Sequence, residues 1–173
     1  MNILVAQIIS ILAIIAITSS VQFKKKQHMM AMASLSHLLY SIQYIILGAY
    51  SAAYMDTVAI VRNLLFHKYN ETKTAAPTLL TAFIIVVTII IGLTTYDGFI
   101  SIIPVAIAIA YTVSASFKDP KIYKTTFGLC AIIWVFYNFK FKAYICVIGN
   151  IAEFISTIIA LIRDHKNKKK YLF

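Results

Sequence analysis

Negatively charged side chains are scarce in this sequence, which holds 6 Asp and Glu residues against 16 Lys and Arg residues. Because the carboxylates are few and scattered, no pair of them suggests the general acid–base chemistry of hydrolysis. Only 2 cysteines occur, and their spacing provides neither a disulfide framework nor a metal site. The GxSxG, HExxH and P-loop signatures are also missing. We therefore expect no enzymatic activity, no bound metal and no cofactor.

Apolar residues make up 61% of the chain, and the mean hydropathy is +0.83. The apolar runs are long enough to cross a bilayer core, which takes about 20 helical residues. The first run lacks a basic leader and a clear cleavage site, so we interpret it as an uncleaved span. Cys130 and Cys146 lie inside apolar runs, where we expect them to be reduced packing residues.

Seven membrane spans are predicted from these runs. Short polar segments separate them, such as Lys24-Lys25-Lys26 after the first span and Lys118-Asp119-Pro120-Lys121 after the fifth. The predicted spans cover residues 2–22, 29–47, 50–67, 78–95, 98–115, 122–138 and 143–162.

The lysines indicate an orientation for these spans and explain the net charge of +10 without nucleic acid. With seven spans, the loops after the first, third and fifth spans share one side with the C-terminal tail. Nearly all lysines lie there, whereas the opposite side holds only Lys140 and Lys142. The positive-inside rule then places the N-terminus outside and the C-terminus in the cytoplasm. An even number of spans would scatter this pattern across both sides.

An internal repeat relates the two halves of the chain. Residues 5–67 align without gaps onto residues 99–161, an offset of 94. Phe23-Lys24 then meets Phe117-Lys118, and Ala49-Tyr50 meets Ala143-Tyr144. Each copy contains three spans, and the fourth span restores the direction of the second copy. Parallel repeats of this kind pack around an axis along the membrane normal and leave a central path.

We therefore predict an all-α membrane protein with seven transmembrane helices in a 3+1+3 arrangement of parallel three-helix-bundle repeats. Its parts are the first repeat at residues 1–67, the linker and inversion helix at 68–97, the second repeat at 98–162, and a basic cytoplasmic tail at 163–173.

Short motifs carry a family resemblance. They are Gly48-Ala49-Tyr50-Ser51-Ala52, Arg62, Ile103-Pro104-Val105 and Trp134-Val135-Phe136-Tyr137-Asn138-Phe139. With them the chain resembles the YgjV-type bacterial inner membrane proteins over nearly its whole length. By its 3+1+3 arrangement it also resembles the SWEET, PQ-loop and PnuC transporters. The resemblance implies this architecture and a bacterial inner membrane, but it supplies no reaction.

The chain departs from the SWEET pattern in its prolines. SWEET proteins carry prolines in several helices of both repeats, whereas here Pro104 stands alone and aligns with Ser10. The Pro-Gln signature of the PQ-loop proteins is absent. Because a proline lets a helix bend, Pro104 is a candidate hinge, and only in the second repeat.

Two pairs of repeat-related polar residues are candidates for substrate binding. Asp56 aligns with Asn150, and Asn63 aligns with Thr157 one heptad later. A charged group in the hydrocarbon is costly unless it faces a cavity or a partner. The two members of each pair would face each other across the axis, where they would suit a polar solute. The alternatives are interhelical hydrogen bonds that only hold the bundle together, or a position of Asp56 near the outer headgroups.

Tyr40 and Trp134 are repeat partners that would stack on a ring-shaped solute, or would simply pack in the bundle. Glu153 could carry a coupling proton or pair with Arg62, which alternatively reaches the lipid phosphates. His37 is expected to be hydrogen-bonded structure, and Asn138 is expected to cap the sixth span.

The leading interpretation is a small-solute carrier that works by alternating access or facilitated diffusion on a sugar-like or nucleoside- or vitamin-like solute. The alternative is a membrane scaffold or sensor that transports nothing. The expected partners are the lipid bilayer and a small polar solute, without nucleic acid, and a homo-oligomer is left open.

Overall fold

The computed structural model describes residues 3–72 and 74–170, with side chains described through residue 166. Within those ranges the chain forms seven α-helices and no strand, which confirms the all-helical prediction. The helices are α1 (Ile3–Ser20), α2 (Lys26–Leu47), α3 (Tyr50–Glu71), α4 (Thr78–Thr94), α5 (Ile102–Ser116), α6 (Pro120–Lys140) and α7 (Tyr144–Lys170), with a 3₁₀ turn at Phe99–Ser101.

Four stretches are long and apolar enough to cross a membrane, whereas the total number of crossings stays a prediction. They are Ile3–Ser20, Lys26–Leu47, Phe99–Ser116 and Tyr144–Lys166.

Several helices run past the predicted spans. The third helix ends at Glu71 rather than at residue 67, and α7 continues to Lys170, through most of the predicted tail. Hydropathy marks the part of a helix that suits the hydrocarbon, whereas backbone hydrogen bonding continues into polar residues. Residues 1–2, 73 and 171–173 of the predicted segments lie outside the described residues.

In α1 the packing places mostly small and polar side chains inside and large apolar ones outside. The buried face of α1 consists of Ala6, Ser10, Ala13, Ala16, Ile17 and Ser20. Its other face exposes large side chains such as Leu4 and Ile15. Small residues let helix backbones approach closely in lipid, where apolar surface gains nothing by turning inward. This distribution agrees with a bilayer as the surrounding solvent.

Six helices form a closed ring. Following the contacts around it, α1 packs on α2, α2 on α3, α3 on α5, α5 on α6, α6 on α7, and α7 on α1. The fourth helix lies outside the ring against α3 and α5. The approach of α7 to α1 depends on Gly149, where a Cβ would overlap the Ile14 side chain.

The α2–α3 and α6–α7 turns have the same geometry. Gly48 directly follows α2, Lys142 lies two residues after the end of α6, and their φ angles are positive, at 75° and 56°. The next residues, Ala49 and Ala143, each donate an N–H at 2.9 Å to a carbonyl near the end of the preceding helix. Such bonds are typical of a helix C-terminus that is capped by a residue in the left-handed conformation.

Candidate functional site

A small cavity lies at the centre of the helix ring and is lined by side chains from all six ring helices. Its volume is about 30 Å³, enough for about two water molecules at ~10–15 Å³ each. Five of the predicted site residues converge on it, namely Asp56, Asn150, Tyr40, Trp134 and Glu153. The other lining residues are Ile17, His37, Tyr44, Tyr111 and Phe127.

Asp56 and His37 form a buried pair at one wall of this central cavity. His37 Nδ1 lies 2.7 Å from Asp56 Oδ1, and both residues are 6% exposed. Three other polar atoms of the wall have no hydrogen-bond partner among the described residues: Asp56 Oδ2, His37 Nε2 and the Tyr40 hydroxyl. The pair therefore holds the carboxylate in place and leaves acceptors free at the cavity.

A chain of hydrogen bonds crosses from the first half of the sequence to the second and ends at Glu153. The Tyr44 hydroxyl donates to Asn138 Oδ1 at 2.8 Å, and Asn138 Nδ2 donates to Asn150 Oδ1 at 2.8 Å. Asn150 Nδ2 then donates to Glu153 Oε2 at 3.3 Å. Every donor in this chain of bonds points toward the carboxyl group of Glu153. The expectation that Asn138 caps α6 is wrong, because the helix continues to Lys140 and Asn138 is buried inside the ring.

Asn63 and Thr157, the second predicted polar pair, do not line the cavity. Seven residues advance a helix by about 10 Å, which carries both positions beyond the cavity. Asn63 Nδ2 donates to the Met30 carbonyl and to Ser34 Oγ at 3.2 and 2.9 Å. The Thr157 methyl group instead faces Gly128. Asn63 therefore joins α3 to α2, whereas the buried hydroxyl of Thr157 has no hydrogen-bond partner among the described residues.

Arg62 takes neither of the roles considered for it. Its Nε and Nη2 donate to Asn63 Oδ1 at 3.1 and 2.9 Å. The structure shows no ion pair between Arg62 and Glu153 among the described residues. The side chain is 1% exposed and therefore does not extend to a lipid phosphate. Sequence spacing could not reveal this, because the partner is the adjacent residue folding back.

Pro104 lies in the first turn of α5, directly after the 3₁₀ turn. An N–H in the first turn has no partner within its own helix, so proline leaves no interior bond unmade there. The structure therefore places no proline-induced bend within the body of α5, and the hinge role stays a prediction.

Two aromatic clusters border the central cavity. The first cluster is Tyr44, Trp134, Tyr137 and Phe141. In it Tyr44 stacks on Trp134 at 6.0 Å between ring centroids, and Tyr137 lies edge-on to both. The second cluster is Tyr111, Tyr123 and Phe127, with centroid separations of 5.3 to 6.1 Å.

Larger surface pockets open at two ends of the molecule. The α4–α5 pocket has a volume of about 1150 Å³ and is lined by Thr94 to Ser101, Tyr137, Lys140 and neighbours. The basic pocket has a volume of about 960 Å³, and its lining includes Lys24, Lys25, Lys118 and Lys121. Neither pocket shares a described lining residue with the central cavity. Tyr137 lies between the α4–α5 pocket and the central cavity, since it lines that pocket and packs on Tyr44 of the cavity wall.

The model of the Imp-YgjV family, described as bacterial inner membrane protein, matches residues 4–168. The chain matches no curated protein and no solved structure.

Proposed function

The chain belongs to the Imp-YgjV family of bacterial inner membrane proteins, and we propose that it is a small-solute carrier that works by alternating access. The central cavity carries this proposal. Its wall combines aromatic rings with carboxyl, amide and imidazole side chains, it is lined by all six ring helices, and it shares no described lining residue with either surface pocket. A site of this kind between two closed barriers is the occluded form of a carrier.

The proposed repeat agrees with bonds that recur at the offset of 94 residues. Ser20 Oγ donates to the Ile17 carbonyl, and the equivalent Ser114 Oγ donates to the Tyr111 carbonyl. The repeat makes α1 equivalent to α5 and α3 equivalent to α7. The contact of α1 with α7 is therefore equivalent to the contact of α5 with α3, and both contacts are present. The cavity wall includes the repeat pairs Asp56 with Asn150, Tyr40 with Trp134, and Ile17 with Tyr111.

The proposed orientation has support from the two surface pockets. Loops α1–α2, α3–α4 and α5–α6 line the basic pocket together with Asp164 near the end of α7. Loops α2–α3, α4–α5 and α6–α7 border the other pocket. Chain segments thus alternate between two ends, and lysines gather at one of them. The basic pocket is then cytoplasmic by the positive-inside rule.

The basic end is closed by cationic side chains that tie one half to the other. Lys26, at the start of α2, donates to the carbonyls of Ala115 and Phe117 at the end of α5. Arg163 of α7 donates to the carbonyl and the side chain of Gln22 after α1. A cation is favourable at a helix C-terminus. Opening toward the cytoplasm would have to break these bonds.

One observation favours a membrane scaffold instead. Asn150, Glu153 and one oxygen of Asp56 are hydrogen-bonded to neighbouring side chains, and only about 30 Å³ remains at the centre. A scaffold would keep this arrangement permanently closed, whereas a carrier must open it to each side in turn. Accessibility of the cavity from the two membrane faces therefore discriminates between the two functions without knowledge of the solute.

We would test this with a single cysteine in the cavity, Ile17→Cys, in a background of Cys130→Ala and Cys146→Ser. Ile17 is 3% exposed and lines the cavity. A carrier predicts labelling of this cysteine by a membrane-impermeant thiol reagent in both right-side-out and inside-out vesicles. The matched control is Ala13→Cys, one turn away on α1, fully buried and outside the cavity lining. Equal protection of both cysteines from both faces would refute alternating access.

A further inference from the structure

We propose that the central cavity binds the ammonium group of a small protonated amine. The proposal names the solute class for the carrier proposed above, and so its transport aspect rests on that function. The binding itself rests on the charge, the free acceptors, the aromatic rings and the volume of the cavity.

The charge of the cavity wall is negative or neutral in formal terms. Asp56, Glu153 and His37 are its titratable acidic and basic residues, and no lysine or arginine lines it in the described part of the chain. The guanidinium group of Arg62 is bonded to Asn63 instead. A buried carboxylate needs a partner, a proton or a bound cation. His37 occupies one oxygen of Asp56, and Asn150 donates to one oxygen of Glu153. A cationic ligand would supply a partner for the second oxygen of Asp56, which has none among the described residues.

The polar atoms of the cavity wall that lack a hydrogen-bond partner favour a ligand that donates hydrogen bonds. If His37 Nδ1–H donates to Asp56 Oδ1, the tautomer leaves Nε2 as an acceptor. Asp56 Oδ2 also accepts, and the Tyr40 hydroxyl can do so. All three atoms lack a partner among the described residues. An ammonium group offers three or four N–H donors and no acceptor, whereas a sugar hydroxyl brings acceptors as well.

Aromatic rings complete the wall. Five of the ten lining residues are aromatic: Tyr40, Tyr44, Tyr111, Phe127 and Trp134. The face of an aromatic ring attracts a cation, and such rings form cages for alkylammonium groups. The same rings disfavour a flat solute in this closed form. Tyr44 lies stacked between Tyr40 and Trp134, with centroid separations of 6.0 Å on both sides, and occupies the place of an intercalated ring.

The volume limits the ligand. A cavity of about 30 Å³ holds about two heavy atoms by the measure of one water per ~10–15 Å³. Ammonium and methylammonium fit the closed form, whereas a longer amine would extend beyond it. Methylammonium is therefore the probe of choice.

The experiment is a titration of the detergent-purified full chain with methylammonium chloride, followed by thermal unfolding at constant ionic strength. We expect a saturable rise in Tm for the wild type. Sodium chloride, glucose and uridine should produce none. Asp56→Asn and Glu153→Gln should weaken the apparent affinity at least tenfold. Glu71→Gln, which removes an exposed carboxylate outside the cavity, should bind like the wild type.

A saturable shift with glucose or uridine and none with methylammonium would overturn the amine proposal, and an equal shift with sodium would assign the site to inorganic cations. If Asp56→Asn does not fold, Glu153→Gln and protection of Ile17→Cys by methylammonium carry the test. Two-sided labelling of Ile17→Cys without methylammonium binding would refute this inference and leave the carrier intact. Methylammonium binding without two-sided labelling would refute the carrier and leave the site.

Discussion

At the scale of single residues, Lys142 is the one described non-glycine residue with a positive φ angle, and its equivalent in the first half is Gly48. Both positions are exposed. A left-handed conformation costs an L-residue about 1–2 kcal/mol, a cost that glycine avoids. We expect Lys142→Gly to stabilise the protein by about 1 kcal/mol and Gly48→Ala to destabilise it by about the same amount. Thermal unfolding in detergent measures both.

Lys140→Gly provides the control, because it removes the same charge two residues earlier, at the last position of α6. Glycine weakens a helix by up to about 1 kcal/mol, so this variant should be less stable than the wild type. A loss of stability in Lys142→Gly equal to that in Lys140→Gly would contradict the argument from backbone conformation.

At the scale of helices, the contact of α1 with α7 depends on Gly149, where any Cβ meets Ile14. Overpacking of this kind costs about 1–3 kcal/mol. We expect Gly149→Ala to lower the unfolding free energy by that amount, and the double variant Gly149→Ala/Ile14→Ala to be more stable than the sum of the single effects predicts. Residues in contact couple in this way. Chemical unfolding in detergent checks the coupling.

Gly92→Ala is the control for the coupling between Gly149→Ala and Ile14→Ala. Its Cβ would lie 2.7 Å from Val105 Cγ2 at the contact of α4 with α5, away from Ile14. Its effect should add to that of Ile14→Ala, since distant sites are independent. Coupling of equal size at both glycines would mean that Ile14→Ala loosens the whole bundle.

At the scale of the whole molecule, the repeat predicts which polar pairs can replace one another. Lys124 Nζ donates to Asp164 Oδ2 at 2.7 Å between α6 and α7. The equivalent positions in the first half hold Met30 and Asn70, whose Nδ2 lies 2.7 Å from the Met30 sulfur. Asp164→Asn alone leaves a buried ammonium group and should cost about 3–5 kcal/mol. Lys124→Met/Asp164→Asn copies the first repeat and should recover most of that loss.

The unfolding free energies of Asp164→Asn and Lys124→Met/Asp164→Asn test whether the two halves pack equivalently at these positions. A double variant as unstable as Asp164→Asn would argue against equivalent packing in the two halves. Lys124→Met/Asp164→Leu is the control, because it removes both charges but supplies no amide donor to the thioether. It should be less stable than the variant that copies Met30 and Asn70.

The sequence by itself determined the helical class, the membrane environment and the family, because these follow from hydropathy and from motifs along one dimension. It also predicted Asp56, Asn150, Tyr40, Trp134 and Glu153 as site candidates, and the structure brings all five to one cavity. They were found from polarity inside apolar helices, from matched repeat positions and from aromatic character.

Only the tertiary structure decided the partners and the space between them. His37 pairs with Asp56, and Asn138 joins Tyr44 to Asn150. These choices depend on the rotation and depth of neighbouring helices, which shift a side chain by several ångströms while hydropathy stays the same. The volume of the cavity has the same origin, since Tyr44 of α2 fills the slot between Tyr40 and Trp134 only because it reaches Trp134 of α6 across the ring.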